Sequence, residues 1–192
     1  MALRTTASQT VGPFFHGLLS PGLNNLVGPA TRGERITIGG RLLDGDGAAL
    51  ANDGMVEIWQ ANAEGRYDHP DDVQELPRDP HFRGFGRCGT DAYGVFEFQT
   101  IKPGPVAGPE GKLQAPHINV VVFARGLLRH LYTRLYFPGE PLNESDPWLS
   151  AVEPARRPTL IAAAEPGGGQ RPRRYRFDIV LQGENETVFF DL

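Results

Sequence analysis

The chain has 192 residues, enough for one substantial core and an awkward length for two independent ones. Its formal charge of −4 comes from interspersed acidic and basic residues, which excludes the broad basic face that nucleic acid requires. The single cysteine, Cys88, excludes an internal disulfide and fits a reducing compartment. No apolar run reaches the ~18 residues of a membrane crossing, and the N-terminus has no basic region followed by an apolar stretch, so the expected location is cytoplasmic.

Residues 1–33 are rich in Gly, Pro and Asn, yet they carry the apolar cluster Val11, Phe14, Phe15, Leu18 and Leu19. This is the composition of an N-terminal arm that docks on its own body or on another subunit, with residues 34–192 as the body of a single domain. Ile36 and Ile38 alternate with polar neighbours up to Asp44-Gly45-Asp46-Gly47, a reversal signal. A second strand-like run covers Met55 to Gln60. Between Ala61 and Gly89 alternation is lost in a segment dense in Asp, Pro, Gly, His and Arg, and a loop of that length is commonly functional. Phe96 and Phe98 restore a two-residue period, which ends at Pro103-Gly104-Pro105. His117 to Ala124 and Leu131 to Phe137 read as a hairpin through Arg125-Gly126. Tyr175, Phe177, Ile179 and Leu181 give the last clear alternation, followed by Thr187 to Phe190. Only residues 146–164 suit a short helix, limited by three prolines. The 24 glycines and 17 prolines, spread along the chain, agree with many short strands. The expected fold is all-β: a β-sandwich of mainly antiparallel strands with long loops and an extended N-terminal arm.

The chain lacks a glycine-rich phosphate loop, a Gly-x-Ser-x-Gly elbow and paired cysteines for zinc. What remains is a set of His, Tyr and Arg residues around the two excursions. Tyr67-Asp68-His69-Pro70-Asp71-Asp72 with His81 could form a two-His, one-carboxylate metal site, although a polar loop accounts for the same composition. Tyr93, Tyr132, Tyr136 and Tyr175 fall within strand patterns, as packing residues with the hydroxyl at the surface. His117-Ile118-Asn119 places His117 and Asn119 on one face of a strand, where a His-x-His pair would clamp a metal ion; the amide leaves one ligand at most. Arg125, eight residues on, shares that face and suits capture of a carboxylate, or else ends a turn in solvent.

Ten stretches in register resemble the intradiol ring-cleaving dioxygenases: Ser8-Gln9-Thr10-Val11-Gly12-Pro13-Phe14, Val56-Glu57-Ile58-Trp59-Gln60-Ala61, Gly65-Arg66-Tyr67, Phe85-Gly86-Arg87, Thr100-Ile101-Lys102-Pro103-Gly104, Ala115-Pro116-His117-Ile118-Asn119, Phe123-Ala124-Arg125-Gly126, Thr133-Arg134-Leu135-Tyr136-Phe137, Tyr175-Arg176-Phe177-Asp178-Ile179 and Thr187-Val188-Phe189-Phe190-Asp191. The resemblance implies O2-dependent cleavage of a catechol ring at ferric iron, Fe(III), held in catalytic chains by two tyrosinates and two histidines. Tyr67 and His117 stand at two of those ligand positions. Val106 replaces the second tyrosine, Asn119 the second histidine, and Gln114 an arginine beside the substrate. The pattern is similar to the α-type chain of the family's two-chain enzymes. That implies no metal on this chain, with Tyr67 and His117 vestigial, and iron held by a homologous β-type partner. By the same carry-over Thr10, Gly12, Pro13 and Arg125 line the pocket for protocatechuate at the interface between the chains. Two alternatives stay open on the residues alone: a self-sufficient metalloenzyme using Tyr67, His69, His81 and His117, and a non-enzymatic β-sandwich carrier or assembly module.

Overall fold

The computed structural model describes residues 21–108, 111–166 and 172–191. Eleven strands and one short α-helix are present among them: β1 (Arg35–Leu43), β2 (Gly54–Trp59), β3 (Phe85–Gly89), β4 (Val95–Ile101), β5 (Val106–Ala107), β6 (Leu113–Gln114), β7 (His117–Ala124), β8 (Leu131–Tyr136), α1 (Pro147–Ala151), β9 (Ala163–Ala164), β10 (Arg173–Arg176) and β11 (Ile179–Val180). One sheet is built on β1, which pairs antiparallel with β4 along one edge and parallel with β10 and β11 along the other. The second sheet has the order β3-β2-β7-β8 and is antiparallel throughout.

The two-residue period of the sequence is what joins these sheets. Ile36, Ile38, Leu42, Phe96, Phe98, Tyr175, Phe177 and Ile179 of the first pack with Val56, Ile58, Ile118, Val120, Val122 and Leu135 of the second in one buried cluster. Apolar side chains at alternate positions point to one face, so each strand gives its apolar half to this interior. The result is the expected β-sandwich.

Three expectations need correction. The Phe85-Gly86-Arg87-Cys88-Gly89 run, read as part of a long excursion from Ala61 to Gly89, is strand β3, paired with β2 from Met55↔Gly89 to Trp59↔Phe85. Its glycines hide the alternation while its backbone completes the ladder. The C-terminal run is split into β10 and β11, and both lie parallel to β1. The break falls where the Phe177 carbonyl comes so close to Gly40 that a Cβ there would sit 1.9 Å from it. At this point the Asp178 carboxylate takes the Arg41 N–H at 3.0 Å in place of a ladder bond. Lastly, Tyr136 and Tyr175 are buried, hydroxyls included in the interior rather than at the surface.

The described part of the N-terminal segment is woven into the sandwich. Leu26 is buried in the main cluster, and its N–H donates to Gln99 of β4 while its carbonyl accepts from Arg83. The Leu23 carbonyl accepts from Arg87 of β3, so the segment runs antiparallel to β3 and bridges the edges of both sheets.

Candidate functional site

The outer face of the β3-β2-β7-β8 sheet, turned away from the main core, carries His117 and Asn119 from β7 and Tyr132, Arg134 and Tyr136 from β8. The register sets Asn119 beside Arg134 and His117 beside Tyr136. The two excursions close over this face. Asn62 organises the first: its side-chain oxygen accepts from the N–H of Glu64 and of Arg66, and its amide donates to the Pro77 carbonyl. The Gly104 N–H donates to the Asn62 carbonyl, which ties the first excursion to the second. Gly65 sits at the crossing with φ +88°, and a Cβ there would lie 2.0 Å from the Pro105 oxygen, so only glycine fits. This turn delivers Tyr67 onto the sheet.

The polar groups that meet there form a single ordered chain of hydrogen bonds. His117 is 1% exposed, and its Nδ1 lies 2.7 Å from the Ala115 carbonyl, which can only accept. The proton therefore sits on Nδ1, leaving Nε2 as the acceptor. Tyr67 lies 3.4 Å from Nε2 and donates its hydroxyl proton there. The Asn119 amide donates to the Tyr67 oxygen at 3.0 Å, and Tyr132 donates to the Asn119 side-chain oxygen. Burial pushes the Tyr67 phenol up to about 12, against the opposing effects of the Asn119 bond and the Arg134 charge. Burial, with the Arg134 charge as a second cause, pushes His117 down to about 4. Both groups are neutral at pH 7.

This arrangement does not fit a ferric ion. The imidazole lone pair is used by a phenol proton, the one tyrosine is far from ionised, and the neighbouring Asn119 side chain is a neutral amide. Hard trivalent iron needs anionic oxygen and free imidazole donors. Among the described residues there is no group of three or more His, Cys, Asp or Glu placed to hold a metal. The alternative site does not assemble either. His69 is surface-exposed, with its ring edge-on to Trp59 at 5.9 Å and Nδ1 accepting from the Asp71 N–H. Asp72 accepts from the Tyr67 N–H and from Gln74, and the His81 N–H donates to Asp79.

Arg125 shares the outward parity of His117 and Asn119, yet it lies at the far end of β7. Eight residues at about 3.3 Å each separate it from His117 by roughly 26 Å. Its guanidinium is 70% exposed and pairs with Asp53, and its N–H donates to the Asp53 carbonyl at 3.0 Å. Thr10, Gly12 and Pro13 lie outside the described residues.

Four residues to which the sequence reading gave no role in the site belong to it: Arg134, Tyr132, Tyr136 and Asp146. Asp146 is fully buried, caps α1 through the N–H groups of Trp148 and Leu149, and also accepts from the Ala115 N–H at 2.8 Å and the Tyr136 hydroxyl at 3.0 Å. An Asp-Pro pair ahead of a short apolar run is the available signal for the cap; nothing local signals the other two bonds.

Residues 21–183 match the family model described as Dioxygenase. The chain is 42% identical over 206 residues to the protocatechuate 3,4-dioxygenase alpha chain of Burkholderia cepacia, covering 99% of this chain and 98% of that one. It is 39% identical over 184 residues to the protocatechuate 3,4-dioxygenase beta chain of the same organism, covering 94% and 77% respectively. Among solved structures it is similar to the dioxygenase domain of a dioxygenase carbohydrate-binding protein fusion from Streptomyces sp. SirexAA-E, with a TM-score of 0.63 at 29% identity over 94% of this chain and all of that one. The chain belongs to the intradiol dioxygenase family.

Proposed function

We propose that this chain is the α-type subunit of a protocatechuate 3,4-dioxygenase, and that it completes an active site whose non-haem iron, Fe(III), is held by a homologous β-type partner. The reaction would insert both atoms of O2 into protocatechuate, cleaving the ring between the two hydroxyl-bearing carbons to give 3-carboxy-cis,cis-muconate. The single observation that carries the reading is the closed hydrogen-bond chain from Tyr132 through Asn119, Tyr67 and His117 to the Ala115 carbonyl. It spends on protons the donors a metal would need, so the reactive centre belongs on another polypeptide.

What this chain would contribute lies at the opposite end of the sheet. The described N-terminal segment lies along β3, with the Leu23 carbonyl accepting from the Arg87 N–H. Gly89 pairs with Met55, next to the Gly54↔Ala124 pair that precedes Arg125. In this reading the arm residues Thr10, Gly12 and Pro13 share a pocket with Arg125, whose exposed, planar guanidinium suits the ring carboxylate of the substrate. Residues 1–33 would act as the docking arm of a single domain, with Val11, Phe14, Phe15, Leu18 and Leu19 buried against the partner while Leu26 fastens the arm to this chain's own core.

The test is co-expression with a β-type chain that has both tyrosines and a His-x-His pair. The complex should be coloured by tyrosinate-to-iron charge transfer and active, while the chain alone should hold little iron. Loss of a charge-assisted carboxylate contact predicts that Arg125→Ala raises KM for protocatechuate about 10- to 100-fold. A colourless, inactive complex, or an Arg125→Ala complex with unchanged kinetics, is the outcome that defeats the proposal.

A further inference from the structure

Arg134 is a buried cation at the vestigial site. It is 7% exposed, and among the described residues it makes no ion pair with a carboxylate. Its Nη1 donates to the Gln114 side-chain oxygen at 2.7 Å, and its guanidinium carbon stands 4.3 Å from the ring centroid of Trp148. The phenols of Tyr132 and Tyr136 lie near enough to influence its charge, while its Nε has no partner. Tyr136 in turn donates to the buried Asp146 carboxylate, so the positive charge is balanced through a phenol rather than by direct contact. A buried cation without a carboxylate beside it is costly and persists only where its surroundings hold it. Here a cation–π face and an amide oxygen do so, with two phenols nearby.

Its position relates it to the lost ligands. Arg134 pairs with Asn119 across β7 and β8, and its anchor Gln114 pairs with Val106 across β5 and β6. The two substituted ligand positions and the guanidinium are thus joined by one hydrogen bond and two ladder contacts. The charge reaches Tyr67 and His117 as well, since it is among the causes that shift both.

We propose that Arg134 itself bars a metal ion from this chain: a fixed positive charge, anchored by Gln114, Trp148 and the Tyr136–Asp146 pair, takes the place of the ion among the phenols. Restoring the missing ligands is then insufficient while Arg134 remains. This rests on the reading that the chain holds no iron of its own.

The experiment uses the full chain and ferric citrate as probe, with bound iron per chain and the visible tyrosinate-to-iron band as readouts, and thermal unfolding to verify the fold of each variant. The pair V106Y/N119H should take up ferric iron at least about tenfold more weakly than V106Y/N119H/R134Q, because a like charge on the residue paired with position 119 repels the ion. R134M in the same background is a second neutral variant should the glutamine protein not fold. R134K, which keeps the charge, should remain as poor a binder as V106Y/N119H. Equal uptake with and without Arg134, or no uptake in either neutral variant while folded, overturns the proposal. Stoichiometric ferric iron on the unmodified chain would instead overturn the functional reading on which it stands.

Discussion

Acidification destabilises the fold through the buried imidazole of His117. The imidazole titrates at about 4 in the folded protein because burial disfavours its charged form, against an ordinary value of 6.5. Above pH 6.5 both states are neutral at this site and its contribution to stability is complete. As the pH falls the unfolded chain takes up the proton first, so stability drains away between 6.5 and 4 and levels off below. The difference between 6.5 and about 4 corresponds to about 3 kcal/mol in full, of which about 2 kcal/mol is already lost at pH 5. Urea unfolding of the chain and of His117→Gln at pH 8, 6.5 and 5 measures this. The glutamine variant should be less stable at pH 8, since it disturbs the bonds to Ala115 and Tyr67, but it should lack this part of the pH dependence. Identical pH dependence in the two proteins, or an imidazole midpoint near 6.5 by NMR in the folded state, would refute the argument that His117 is held neutral by its surroundings.

Gly65→Ala should cost at least about 2 kcal/mol, through a left-handed backbone and a Cβ driven against the Pro105 oxygen, and a thermal melt reports it. The same variant should loosen the turn that presents Tyr67, read as a fall in near-ultraviolet circular dichroism. Asp146→Ala strands the Ala115 N–H, the Tyr136 hydroxyl and two helix N–H groups, and should lower stability by about 3–5 kcal/mol in denaturant unfolding. A loss below about 1 kcal/mol would show that the capped turn is not a support of the site.

The amino-acid sequence by itself determined the strands with strict alternation and the interior they share. Phe96 and Phe98, or Ile118, Val120 and Val122, can bury themselves only on one face of an extended chain, and two such faces must meet. Through the resemblance it also implied, from residue identity at Val106 and Asn119, a ligand set short of two donors. Pairing partners were a different matter. Nothing local marks β10 and β11 as neighbours of β1 or sets them parallel to it, and the glycines of β3 conceal a strand whose ladder is made by backbone alone. Spacing told that His117 and Arg125 share a face of β7, but not that the length of the strand sets them at opposite ends of the sheet. Tyr132, Arg134 and Tyr136 look like ordinary packing positions in a strand pattern. They became a site only because the excursions at Asn62–Tyr67 and the capped turn at Asp146 close over the outer face, which removes water and leaves the hydroxyls and amides there to find protein partners. Local pattern fixes which way a side chain points, whereas long-range closure decides what it meets there.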